Sequence, residues 1–76
     1  MEYSAKEALE LLVNKKAARI QDEFGNVVYL DEYGELREDL YGIDDDGAYS
    51  MYDSNIIDQD YFFSTYKDRI FIAYKL

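Results

Sequence analysis

The chain has 76 residues, a net charge of −9, and neither Cys nor His. That length bounds it to one domain, residues 1–76, near the lower end of what folds alone, where only about 60% of the unfolded chain's surface is buried. The missing residue types exclude disulfide staples, Cys- or His-based metal sites, thiol nucleophiles and the commonest general base.

Nine Tyr and four Phe supply a core despite the small size, since each ring can cover roughly 150–250 Å². Self-association into a homodimer is a further route to stability for a chain without an internal staple. The first residues, MEYSAKEALELL, have no basic n-region and no apolar run of signal length, and no stretch approaches the ~20 apolar residues of a membrane span. The expectation is a soluble intracellular protein.

The first predicted element is a helix over roughly 5–14. Ser4-Ala5-Lys6-Glu7 fits a capping box, with the Ser4 hydroxyl accepting from the Glu7 N–H and Glu7 reaching back to Ser4. Ala5, Ala8, Leu9 and Leu12 then recur at helical spacing. Asn14 is suited to the left-handed conformation that ends a helix, with Lys15 and Lys16 beside the negative end of its dipole.

The middle of the chain carries an internal echo. Asp22-Glu23-Phe24-Gly25 returns nine residues later as Asp31-Glu32-Tyr33-Gly34, and Asp44-Asp45-Asp46-Gly47 is a looser third copy. An acidic cluster ending in Gly between β-rich runs reads as a turn, because Asp caps local backbone and Gly accepts positive φ. The runs between, 18–21, 27–31, 36–41 and 48–52, predict an antiparallel meander of short strands. Asp53-Ser54-Asn55 then reads as a turn or N-cap, followed by a short helix within 56–66, where Ile57/Tyr61 and Phe62/Tyr66 are four apart. Residues 69–75 alternate, with Ile70, Ile72 and Tyr74 on one face and Phe71 and Ala73 on the other, and predict a central strand. The expected fold is α+β, a helix packed on an antiparallel sheet of four to five strands.

Little in the chain points to catalysis. Ser4, Ser50, Ser54, Ser64 and Thr65 have no His to activate them and read as caps and turn residues. No phosphate-cradling Gly-rich loop occurs. Carboxylates abound, but a solvated run of acids gives no sign of the divergent pKa values that acid–base catalysis needs. In an EF-hand register Gly47 at position 6 would put Asp44 and Asp46 at positions 3 and 5, with Asp53 at position 12. Gly42, a non-ligand, would then stand at position 1, so only weak adventitious Ca²⁺ or Mg²⁺ binding is expected. Neither enzymatic activity nor a cofactor is expected.

The charge is regional. Residues 31–60 hold Asp31, Glu32, Glu35, Glu38, Asp39, Asp44, Asp45, Asp46, Asp53, Asp58 and Asp60 against Arg37 alone. Tyr33, Tyr41, Tyr49 and Tyr52 are interleaved with them, and Tyr is favoured at interfaces because it joins apolar area to a hydroxyl. Self-repulsion on this scale costs a small domain stability. Alternate residues of a strand face lie about 6.6 Å apart, near two ~3.4 Å rises of a DNA strand, so these acids and tyrosines are the predicted partner-binding set of a DNA mimic.

The opening Ala5-Lys6-Glu7-Ala8-Leu9-Glu10-Leu11-Leu12, the basic turn Asn14-Lys15-Lys16-Ala17-Ala18-Arg19, and Tyr29-Leu30-Asp31 with Gly34-Glu35 resemble very small phage-encoded anti-defence proteins. One such family sequesters a nucleotide signal of the Thoeris system. It typically carries Gly-Trp after the basic turn, where Ile20-Gln21-Asp22 stands here. The resemblance implies a phage or mobile-element protein acting in the cytoplasm of a bacterial host cell. Joined to the acidic block, it leads to the expectation of a non-catalytic inhibitor, of anti-CRISPR or anti-restriction type. Its partner would be a basic, nucleic-acid-binding nuclease, with no direct contact to nucleic acid or membrane. Two alternatives stay open: a sponge for a nucleotide signal using Lys15, Lys16 and Arg19, and a structural or regulatory phage protein whose acidic face only solubilises it.

Overall fold

Ser4 and Glu7 form the predicted capping box: the Glu7 N–H donates to the Ser4 hydroxyl at 3.2 Å and the Ser4 N–H to the Glu7 carboxylate at 3.1 Å. They start α1 (Ala5–Val13), which buries Ala5, Ala8, Leu9 and Leu12. Asn14 closes the helix near φ −85°, and the left-handed residue is Lys15, at φ 57°. The chain therefore reverses one position later than the composition implied.

A computed structural model describes residues 1–76. Besides α1 it holds β1 (Glu2–Ser4), β2 (Ala17–Asp22), β3 (Val27–Leu30), β4 (Leu36–Ile43), β5 (Tyr49–Ile56), α2 (Gln59–Tyr66) and β6 (Ile70–Lys75). The fold is α+β, but its sheet has six antiparallel strands, in the order β1-β6-β2-β3-β4-β5, rather than four or five. The extra strand is β1, three residues too short to show an alternating pattern. Residues 53–55 are not a turn: they continue β5, opposite Leu40, Asp39 and Glu38. Asp58, not this triplet, caps α2 through its carboxylate, which accepts from the Tyr61 N–H at 2.7 Å.

Both helices cover one face of the sheet. Directly opposed residues of antiparallel strands share a face, so the register traces the row Ala73–Ile20–Val28–Glu38–Asn55 beneath the helices. The core joins α1 to Ile20, Val28, Phe62, Tyr66 and Phe71. Phe62 lies 5.2 Å from Tyr66 and 5.7 Å from Phe71 between ring centroids, within the favoured range for aromatic pairs.

The three echoed segments are one turn built three times. In each, the Asp carboxylate accepts from the backbone N–H two and four residues on: Phe24 and Asn26 for Asp22, Tyr33 and Glu35 for Asp31, Asp46 and Ala48 for Asp44. In each, the Gly N–H donates to the Asp carbonyl, and Gly25, Gly34 and Gly47 take positive φ. This is the hairpin connection of a tight turn followed by a left-handed Gly bulge.

Candidate protein-binding surface

Two surfaces remain uncovered by the helices. One is the far end of the β4–β5 hairpin. The four residues of β3 pair with Leu36–Asp39, whereas β4 and β5 continue together to Ile43 and Tyr49. Beyond Asp39 the two strands form an arm, and every residue from Ile43 to Ser54 is exposed. The molecule is correspondingly longer in one direction, 39 × 28 × 25 Å. The arm carries Tyr41, Tyr49 and Tyr52 with Ile43 and Met51, and Asp44, Asp45 and Asp46 form its tip. Tyr41 and Tyr49 stack at 5.5 Å, and the Tyr49 hydroxyl reaches the Phe24 carbonyl at 3.5 Å, which ties the arm to the β2–β3 turn.

The arm thus gathers Tyr41, Asp44, Asp45, Asp46, Tyr49, Tyr52 and Asp53 from the acidic block. The remaining members go elsewhere. Asp31, Glu32, Tyr33 and Glu35 form the β3–β4 turn at the opposite end of β4, an eight-residue strand and hence about 26 Å away. Asp39 lies on the uncovered sheet face, where it accepts from the Ser54 hydroxyl at 2.7 Å and the Tyr29 hydroxyl at 3.4 Å. Burial and the Asp39 charge together push the Tyr29 hydroxyl above its ordinary pKa. Asp58 and Asp60 sit at the start of α2. The eleven acids therefore form no single track.

Glu38 departs furthest from the sequence-based expectation. It is 1% exposed, and its carboxylate accepts from Tyr66 at 2.6 Å, Tyr61 at 2.8 Å and the Asn55 amide at 3.1 Å. A buried carboxylate with three donors is a structural fixture of the core and offers no charge to a partner. Burial first, and then this carboxylate, raise the pKa values of both tyrosines. Asp31 is likewise committed locally. The Glu35 N–H and then the Arg37 guanidinium, 2.9 Å away, hold its pKa below the ordinary carboxylate range.

The arm's acids do not converge on a metal position. Asp44 turns its carboxylate back to its own turn, and no group of three or more acidic side chains lies close enough to hold an ion. The basic residues do not converge either: Lys15 and Lys16 line different clefts, and Arg19 stacks on Tyr74 at 4.3 Å. No helix is long and apolar enough to cross a membrane.

The second uncovered surface is the sheet face opposite the helices, which is assembled from all six strands and is visible in the sequence only one strand at a time. Ile70, Ile72 and Tyr74 do lie on one face of a strand flanked on both sides, as the alternation predicts, but no helix or second sheet covers them, and only the Arg19 side chain lies over Tyr74. The signal was present in that alternation, since an apolar second face on a strand needs a second layer. Comparison with protein-family models, curated proteins and solved structures finds no match.

Proposed function

We propose that this protein is a non-catalytic inhibitor that presents the β4–β5 arm to a basic groove on a nucleic-acid-binding protein. The observation that carries the reading is the arm itself. It is a two-stranded projection with exposed tyrosines along its length and three aspartates at its tip. Such a shape enters a groove as a ribbon, with apolar area for burial and charge where a phosphate would sit. Tyr49 at 55% and Tyr52 at 68% exposure are side chains of the kind that anchor interfaces when desolvated. The charge mimicry is local to a hairpin tip, with Asp45 and Asp46 as the free acids. The resemblance of the N-terminal region to small phage anti-defence proteins suits a target in host defence, and the charge at the tip is what selects a nuclease. Steering by opposite charge makes such association fast and salt-sensitive.

The test is capture from a bacterial lysate on the immobilised protein at low and high salt. The variant Asp45→Lys/Asp46→Lys is run in parallel with Asp44 kept, because Asp44 holds the turn. The expected result is a basic nucleic-acid-binding protein that is displaced by duplex DNA, released by salt and absent with the variant. Undiminished capture by the variant would end the reading.

A further inference from the structure

We propose that the sheet face opposite the helices is the interface with a second copy of this chain. The register runs one row across all six strands of that face, Glu2–Ile72–Gln21–Val27–Asp39–Ser54. Beside it lie Ile70, Tyr74, Tyr29 and Ile56, and Ile72 and Ile56 are 50% and 56% exposed. An apolar sheet face of this kind needs a second layer to bury it, and the chain's two helices are both on the other side.

The charge distribution selects the occupant. The strand residues of this face carry Arg19 and Arg37 against Glu2 and Asp39, two of each sign, and Asp31 pairs with Arg37 at its border, so at most −1 of the chain's −9 lies here. A face meant for a basic partner would carry part of that surplus. A face meant for another copy of the same acidic chain must be close to neutral, or the two copies repel. Its polar groups are also already engaged within the chain. Tyr74 donates to Gln21 at 2.9 Å, Ser54 to Asp39 at 2.7 Å, and Arg37 to Asp31 at 2.9 Å, so a covering sheet strands few of them.

The size is sufficient. Six strands at about 4.8 Å spacing and about 20 Å of strand length give a planar footprint near 600 Å² per copy. Two copies together thus reach the lower end of specific, stable interfaces, roughly 1,200 Å². The product is a two-fold symmetric sandwich of two sheets packed about 10 Å apart, with α1 and α2 outside.

Sedimentation equilibrium from low micromolar to submillimolar protein tests this. The expected mass is twice the 9.0 kDa of the chain, persisting in high salt because the face is close to neutral. Ile72→Lys and Ile56→Lys, on different strands and both half-exposed, should each weaken association about tenfold or more. Circular dichroism checks that each variant remains folded, and the double Asp45→Lys/Asp46→Lys variant should still dimerise. A monomer throughout the range overturns the proposal. So does a dimer that withstands both lysines, which would place association at a strand edge, or one that high salt dissolves. None of these outcomes bears on the arm's partner.

Discussion

Tyr66 donates its hydroxyl to Glu38 at 2.6 Å, and both side chains are shut from solvent between α2 and the sheet. Burial and the neighbouring carboxylate raise the pKa of Tyr66 far above that of an unfolded-chain tyrosine, which is about 10. The folded state therefore retains this proton where the unfolded state loses it. The associated stability is complete below about pH 10 and declines as pH rises beyond it. Tyr29 and Tyr61 shift in the same direction and add to the same window. Tyr66→Phe should flatten this alkaline decline in denaturant melts. At neutral pH it should cost about 1–3 kcal/mol, because it withdraws a donor from a buried carboxylate.

Asp22 and Arg69 make the other buried commitment. The Asp22 carboxylate side chain has no solvent access and takes the Arg69 guanidinium at 2.6 Å, while Arg69 also lies 4.5 Å above the Phe24 ring. Arg69→Met should cost about 3 kcal/mol, the low end for stranding a buried charge, since Arg69 itself is partly exposed. Adding Asp22→Asn should recover part of that loss. Urea melts of the two singles and the double close the cycle, and simple additivity would refute the coupling.

Acid should act through Asp31 and Glu7. The Glu35 N–H and the Arg37 guanidinium lower the first, and the backbone N–H and hydroxyl of Ser4 lower the second. A carboxylate with a depressed folded-state pKa adds stability above its unfolded value, near pH 4, and loses it as pH falls through the folded value. Asp31→Asn keeps an oxygen for the turn but loses the attraction to Arg37. It should melt earlier than the parent at neutral pH and converge with it at the acid end.

Gly25 meets Tyr49 so closely that an added Cβ would stand 1.5 Å from the tyrosine oxygen, at a backbone φ of +92°. Gly25→Ala should therefore cost about 1–2 kcal/mol for the left-handed backbone and displace Tyr49 from the Phe24 carbonyl. Hydrogen exchange should then quicken in the arm, residues 41–52, and a Tyr49→Phe background should remove part of that difference. Unchanged exchange would mean that the tyrosine does not hold the arm.

Local chemistry was the legible part of this fold. Ser4 with Glu7, and Asp with Gly in each turn, encode contacts within four residues, and all of them are present. Non-local consequences were hidden. Glu38 looks like one more surface acid until its spacing is noted: Leu36, Glu38 and Leu40 are alternate residues, so the carboxylate points where leucine points. Its burial then depends on Tyr61 and Tyr66, more than twenty residues away. The polar run Asp53-Ser54-Asn55 resembled a turn because an edge strand on an exposed hairpin needs no apolar alternation. The arm followed from strand lengths: four residues in β3 against eight in β4 leave half a hairpin without a neighbour.

The sheet order also dictates when the molecule can become complete. β2 through β5 are joined by tight hairpins and can zip consecutively as the chain emerges. The first strand cannot, because β1 has only β6 beside it, and Glu2 waits for Ile72. Until residues 70–72 arrive, β1 and the adjoining edge of β2 both lack their partner strand. Closing that long loop is the slow kind of contact, so the pairing of β1 has to wait for the last strand, and until then the open edge of β2 offers unpaired backbone groups to other strands.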